Sequence, residues 1–244
     1  MKPENKTAAG RTARRTSRGI VTGAVIGLIL GVAIVMIQRR FRLDPKLTVT
    51  AYIAVVVLCF AFNLVYNSRY LKKANALLPL LESGKTEEFI SAMESLIQKA
   101  RGQKLKDLLR LNLSAGYGKA GQHDRAVELL EDLPEKPFPK QFRMVRRMNL
   151  CASYFAVGEN AKGLELYRAS QECFEPFRAG LPYSRNLAAL DISAAAAEGD
   201  YQRARELLAH AKSTLSEDEY QTIFHELEEK VTAGQAASDE CSAF

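Results

Sequence analysis

Four glycines, Gly84, Gly121, Gly158 and Gly199, recur along this chain at spacings of 37, 37 and 41 residues. Each lies where one amphipathic helical pattern stops and another begins. Glycine is typical of a helix end because it adopts the left-handed backbone conformation without steric cost. A period of this length predicts a helix-turn-helix repeat, in which each helix pair buries its apolar face against the next pair. We therefore expect an all-α chain with an α-solenoid over most of its length.

The three later glycines belong to units that align in one register. The residue four positions before the glycine is Tyr or Ala and the residue five positions after it is small: Tyr117-Gly121-Ala126, Tyr154-Gly158-Gly163 and Ala195-Gly199-Ala204. Apolar residues at helical spacing extend these units over about residues 104–133, 138–174 and 183–215, and a first unit covers about residues 68–97. Asp124, Asn160 and Asp200 are predicted to cap the second helices. The pattern predicts a repeat domain over residues 68–232 with about four helix pairs.

A further helix is expected to close the array. Ser216 and Glu219 have the spacing of a capping box, and the apolar residues that follow lie on one helical face: Tyr220, Ile223, Phe224, Leu227 and Val231. Such a helix would shield the last repeat from water. The alternative is that it occupies the groove of the array as a ligand does. Residues 233–244 are predicted to be a disordered tail.

Two uncharged apolar runs precede the repeats, at about residues 20–37 and 47–66. Each is long enough to cross about 30 Å of hydrocarbon as a helix. Asp44 and Pro45, in the segment between the runs, favour a turn. We predict a transmembrane hairpin over residues 19–67, not cleaved as a signal peptide because no small-residue cleavage site follows the first run. Residues 1–18 are basic and poor in apolar residues, so they are predicted to be disordered.

The hairpin would place both chain ends on one side of the membrane. That side carries nine Lys or Arg residues near the spans, against four in the connecting loop. This difference favours a multi-pass protein of the cell membrane with both termini and the repeat domain in the cytoplasm. A glycine stripe in the first span (Gly19, Gly23, Gly27 and Gly31) has the spacing that lets helix backbones approach closely. Its partner would be the second span, a second copy of the chain, or another membrane protein.

The distribution of charge argues against nucleic-acid binding. Residues 1–73 contain thirteen Lys or Arg and two acids, whereas residues 74–244 contain twenty-one and twenty-six. A repeat domain with net negative charge would repel phosphates along its length. No P-loop, nucleophile elbow, HExxH or paired-carboxylate motif appears, and the four cysteines form no CxxC pair. We expect a protein without enzymatic activity, cofactor or metal.

The repeat region resembles the tetratricopeptide family over about residues 68–215. The family's order of small residue, aromatic, turn glycine and small residue is present in two units: Ser114-Tyr117-Gly121-Ala126 and Cys151-Tyr154-Gly158-Gly163. The fourth unit keeps the turn and the last small residue, and the first keeps only the turn. The family's early Trp is absent, since the chain contains no Trp. The resemblance implies a solenoid that binds proteins or peptides.

In that family the first helix of each repeat lines the concave face, and an Asn two residues before the small position can hold a peptide backbone. Asn112 and Asn149 occupy that place here. The resemblance therefore implies a peptide groove, whose apolar members would include Leu108, Leu111, Met148 and Phe155. The alternative is that these residues pack between helices.

A local basic cluster lies in a region of net negative charge and consists of Lys140, Arg143, Arg146 and Arg147. Three of these residues, Lys140, Arg143 and Arg147, share one helical face. This basic patch is either a solvated face or a contact for lipid headgroups or an acidic peptide.

The features together predict a membrane-anchored adaptor or scaffold that binds a protein or peptide partner at the cytoplasmic face of the bilayer. The alternative is a structural subunit that assembles through its glycine-striped helix, with itself as a homo-oligomer or with another integral membrane protein.

Overall fold

The computed structural model describes residues 31–32, 36, 39–40, 44–136, 138–179, 183–214 and 218–242. The predicted disordered N-terminus, Gly19, Gly23, Gly27 and most of the first predicted span lie outside these residues, as does Ser216 of the predicted capping box. The chain divides into two compact units, residues 1–75 and residues 76–244. The described residues form helices and no strand.

The described part of the first unit is dominated by one long helix, α1, Pro45–Asn75. It begins where Asp44 Oδ1 accepts a hydrogen bond from the backbone N–H of Lys46 at 2.8 Å, with Pro45 in the first helical position. Lys72 and Lys73 lie in its last turn, where positive charge complements the helix dipole. The second apolar run lies entirely within α1. Among the described residues this is the one helix long and apolar enough to cross a membrane.

The second unit is a succession of helices that form pairs. A short first pair consists of α2, Leu78–Glu82, and α3, Thr86–Lys99; three further pairs follow, after which α11 closes the unit. Their bounds are α4, Gln103–Lys119, with α5, His123–Glu131; α6, Lys140–Ala156, with α7, Asn160–Arg168; and α9, Ser184–Ala197, with α10, Tyr201–Thr214. Between α7 and α9 lie α8, Gln171–Phe174, and a 3-10 turn, Glu175–Phe177. The second helix of each pair packs against the first helix of the next pair, as in a tetratricopeptide-like repeat.

The four repeat glycines end the first helix of each pair. Their φ angles are 75°, 69°, 78° and 79° for Gly84, Gly121, Gly158 and Gly199. In each turn the N–H of the residue after the glycine bonds to the carbonyl of the residue four positions before the glycine, for example Gln122 to Tyr117 at 2.9 Å. This is a Schellman motif. The regular sequence spacing is therefore a repeated helix ending.

Only one of the three predicted helix caps is confirmed. Asp200 Oδ1 accepts a hydrogen bond from the N–H of Arg203 at 3.0 Å. The predictions for Asp124 and Asn160 were wrong, because α5 and α7 begin one residue or more earlier and their N-cap residues are Gln122 and Glu159, neither of which makes a side-chain cap bond. The Schellman turn brings the residue after the glycine directly into the cap position, so the polar residue beyond it falls inside the helix.

Two repeated tyrosine bonds connect neighbouring pairs. Tyr117 Oη donates to Glu94 Oε1 at 2.8 Å, and Tyr154 Oη donates to Glu131 Oε1 at 2.6 Å. Both donors lie on a first helix and both acceptors on the preceding second helix. Burial and the carboxylate raise the pKa of Tyr117 to about 12. The family-like aromatic position therefore stacks the pairs through a polar bond as well as through apolar contact.

The closing helix α11, Asp218–Ser242, packs on the last pair. Phe224 and Val231 are buried in one cluster with Ile192 of α9 and Leu208 of α10, as predicted for a shielding helix. The prediction of a disordered tail from residue 233 was wrong for the residues up to Ser242, which continue α11. Ala-rich sequence favours helix there, and Gly234 lies close against the ring of Tyr201.

Candidate binding surfaces

The two asparagines of the predicted groove differ in their environment. Asn149 Nδ2 donates to Ser114 Oγ at 3.3 Å, and the buried Ser114 hydroxyl donates to the carbonyl oxygen of Leu111 at 2.7 Å. Asn149 therefore joins α6 to α4 and helps to hold two repeats together. Asn112 is half-buried, and its side chain has no hydrogen-bond partner among the described residues. Of the two, Asn112 is the free amide that a peptide could meet.

The apolar members of the predicted groove lie deeper than the asparagines. Leu111 and Met148 are each only 6 % exposed, and Met148 packs in a cluster with Cys151 and Phe174. Leu108 and Phe155 are half-buried. These positions therefore contribute largely to packing between helices, and a partner would reach only the outer atoms of Leu108 and Phe155.

Small residues complete this helix face. Ala115 and Ala152 occupy equivalent positions in successive repeats, and both are exposed. In the described repeat unit Leu78 is the one large apolar residue with a highly exposed side chain, at 41 %. The exposed apolar side chains of α1 have higher values. The face accordingly suits close approach of a backbone more than insertion into protruding side-chain pockets.

The predicted basic patch contains an internal counter-ion. Arg147 binds Glu135 through two parallel bonds, Nε to Oε1 at 2.7 Å and Nη2 to Oε2 at 2.9 Å. Its Nη1 also donates to the carbonyl oxygen of Ala169 at 3.3 Å, at the end of α7. Such a fork-to-fork pair fixes both partners in place. Arg147 is therefore a structural tie between the α5–α6 connection and α7, which the sequence pattern did not reveal.

Glu135 also binds a second arginine. Arg146 Nη1 donates to Glu135 Oε1 at 3.2 Å, and Arg146 is only 9 % exposed. The hydrogen bonds from Arg147 hold the pKa of Glu135 below its usual range against the opposing effect of burial, and the charges of Arg146 and Arg143 add to this. Burial lowers the pKa of Arg146. We name this set, Glu135 with Arg143, Arg146 and Arg147, the Glu135 cluster.

Sequence reasoning included Arg146 in the basic cluster but missed Glu135 and its pairing with Arg146. Their separation of eleven residues crosses a connection that contains Pro134 and Pro139, so no helical spacing relates them. The available signal was an acid that follows Pro134 in that connection and is close in sequence to three arginines at positions 143, 146 and 147. Lys140, the third member of the predicted patch, is exposed.

The apolar surface of α1 is the other candidate. Leu58 and Phe62 are 67 % and 74 % exposed, and none of the most apolar part of the helix is buried. Large contiguous apolar patches are rare on soluble monomers and mark sites of contact with another protein or with a membrane. Gly31 is the one described residue of the predicted glycine stripe, and a methyl group there would meet no atom within 4 Å.

Comparison with known proteins gives a limited likeness. No protein-family model matches the chain, and no curated protein matches it. Two solved structures are similar to it. Both are described as putative kinesin light chain nearly identical TPR-like repeats from Podosopora anserina, and one of them is a variant with a single substitution. The variant is 22 % identical with a TM-score of 0.49, and the match covers 72 % of this chain and 98 % of that one; the other is 22 % identical with a TM-score of 0.48, over 70 % and 97 %. The helix pairs themselves, and not this likeness, define the fold described above.

Proposed function

We propose that this protein is a membrane-anchored adaptor or scaffold, in which α1 holds the chain in a bilayer and the helical repeats bind a protein or peptide partner. The observation that carries the proposal is the exposed apolar surface of α1, none of whose most apolar part is buried, in the same chain as a stacked repeat unit. The apolar run 47–66 within α1 is twenty residues long, which corresponds to about 30 Å of helix. That length matches the hydrocarbon core of a bilayer.

The repeat unit supports the binding part of the proposal. Several of its polar side chains join helices of neighbouring pairs. Asn112 offers a free amide, and the exposed Ala115 and Ala152 occupy equivalent positions on the first helices of successive repeats. This arrangement would hold an extended or helical peptide through backbone contacts.

Membrane integration is tested with a charge in the middle of α1. Val57→Arg should move a fraction of the chain from the carbonate-resistant membrane pellet to the supernatant or to degradation, because a central Arg opposes insertion by about 2.5–3.5 kcal/mol. Arg69→Gln, which lies outside the apolar run, is the matched control. A Val57→Arg chain that stays fully carbonate-resistant would show that α1 is not what holds the protein in the membrane.

Partner binding is tested by crosslinked affinity purification of the full chain from membranes. Asn112→Ala should remove a discrete partner, whereas Asn160→Ala, an exposed asparagine on a second helix, should retain it. Retention of the partner in both variants would place the contact elsewhere. Recovery of only the chain itself from every variant would favour the self-assembling structural subunit.

The proposed orientation, with both termini and the repeats in the cytoplasm and residues 20–37 as the other span of a hairpin, has its own test. Cys173 is half-buried, whereas burial raises the pKa of Cys151 to about 12 and keeps that thiol unreactive. A membrane-impermeant maleimide should label Cys173 only after the cells are opened. Labelling of Cys173 in intact cells would reverse the proposed topology.

A further inference from the structure

The Glu135 cluster has more positive charge than its internal carboxylate neutralises. Three guanidinium groups, those of Arg143, Arg146 and Arg147, act on the single carboxylate of Glu135. Within the cluster the surplus is two positive charges, and the carboxylate of Glu131 acts on Arg146 from outside it. Arg146 is nine-tenths buried, so its share of this charge is poorly hydrated. A buried arginine is usually paired with a carboxylate.

The donors of the cluster are only partly used. The Nε–H groups of Arg143 and Arg146 are buried and have no hydrogen-bond acceptor among the described residues. Arg147 is fully engaged by Glu135, Ala169 and Ser170. The cluster is reachable nonetheless, since the side chains of Arg147 and Glu135 are 25 % and 30 % exposed.

The start of α6 adds to the same field. The helix begins at Lys140, its N-cap Pro139 makes no side-chain cap bond, and its first turn contains no acidic residue. The free N–H groups and the dipole of this seventeen-residue helix therefore create positive potential at its start. No described acid on α6 offsets that potential. Lys140 and Arg143 lie on that first turn.

We propose that the Glu135 cluster is a binding site for a phosphorylated side chain of a protein partner. A phosphate monoester carries about −1.5 to −2 charges at neutral pH and three acceptor oxygens, which matches the surplus of two and the unused arginine donors. A single carboxylate would neutralise only half of that surplus. Arg143 is the principal ligand, because Arg146 and Arg147 are already bound to Glu135.

A membrane surface is the less favoured source of phosphate. The described residues around the cluster include no exposed large apolar side chain that could enter a bilayer, since Phe138 and Phe142 are buried with their rings stacked at 3.9 Å. The proposal names the chemistry of the partner and so rests on the proposed binding function. The site itself is tested with a small ligand, so it stands or falls separately from the identification of any partner.

The experiment measures the thermal unfolding midpoint of the full chain in nanodiscs of neutral phosphatidylcholine. The probes are O-phosphoserine and inorganic phosphate, with serine, aspartate and sodium chloride at matched ionic strength as controls. A tenfold excess of phosphoserine over its Kd should raise the midpoint by a few degrees, and aspartate should raise it much less. Arg143→Gln should abolish the shift, while Arg205→Gln, an exposed arginine of α10, should preserve it.

A second variant gives the sharper result. Glu135→Gln leaves three arginines without their counter-ion, so phosphoserine should stabilise this variant more than it stabilises the wild-type chain. Equal shifts in Arg143→Gln and wild type, or shifts that sodium chloride reproduces, would overturn the proposal. Loss of the phosphoserine shift when the nanodiscs contain phosphatidic acid would overturn it in favour of a lipid headgroup.

Discussion

The third repeat has a large residue, Phe155, where the neighbouring repeats have Gly or Ala, and it has glycine at the small position of its second helix. In the third repeat the small position is Gly163, and a methyl group there would lie 2.6 Å from the ring of Phe155. The equivalent pairs in the neighbouring repeats are Gly118 with Ala126 and Ala196 with Ala204. Phe155 thus fills the volume that an alanine side chain occupies in the other repeats. The deviation of Gly163 from alanine is a consequence of packing inside one helix pair.

Gly163→Ala should therefore destabilise the protein, although alanine is the better helix former. We expect a net loss of about 1–2 kcal/mol, because the ring of Phe155 must leave its position. The double variant Phe155→Ala/Gly163→Ala reproduces the pair of the fourth repeat, so its loss should be smaller than the sum of the two single losses by about 1 kcal/mol. Urea unfolding of the full chain in nanodiscs, followed by circular dichroism, measures the cycle. Strict additivity would contradict the proposed contact.

Glu135 should make stability depend on pH. Its folded-state pKa is lowered, first by the bonds from Arg147, so the ionised form is favoured by folding. The stabilisation is fully present above the usual value of about 4.5 and is lost as pH falls through the lowered folded value. Glu135→Gln should lower the free energy of unfolding by about 1.5–3 kcal/mol at pH 7, and the difference from wild type should shrink as the pH is lowered below about 4.5. A difference that is constant from pH 7 to pH 3 would exclude this role of the carboxylate.

At the scale of the element, two glycines near one helix end should respond with opposite sign. Gly121 has a φ of 69°, whereas Gly118 lies within α4 with open space around the position of a side chain. Gly121→Ala should cost about 1–2 kcal/mol because an L-residue is strained in the left-handed region. Gly118→Ala should gain about 0.5–1 kcal/mol from helix propensity. Thermal unfolding midpoints of the two variants measure this difference. A lower midpoint for both variants would show that the left-handed φ of Gly121 does not cause its loss of stability.

The helices could be predicted from the sequence where their ends follow from the spacing of nearby residues. The turn glycines and the residues four positions before them gave the helix ends, because a Schellman turn is a local structure. The cap positions of Asp124 and Asn160 were misplaced by one residue or more, since spacing alone does not tell which polar residue takes the cap. The bond from Asn149 to Ser114 and the pairing of Glu135 with Arg146 depend on how the helices stack. No periodicity in a single sequence encodes such contacts.

At the scale of the whole molecule, the repeat unit depends on how its array is closed. Each pair contacts mainly its neighbours, so stability is distributed along the array and the last pair relies on α11. Phe224 of α11 is 3 % exposed and lies in the cluster with Ile192 and Leu208. Without that ring, α9 and α10 would present an apolar face to water.

Phe224→Ala should therefore loosen one end of the array and leave the other intact. We expect a loss of about 3 kcal/mol from the removed ring and the cavity it leaves. Because coupling in a solenoid is between nearest neighbours, amide hydrogen exchange should accelerate in α9–α11 and stay unchanged in α4 and α5. Leu227→Ala, a partly buried neighbour on the same helix, is the control and should produce a smaller change in the same region. Uniform loss of protection from α4 to α10 would instead show that the repeats unfold as one cooperative body.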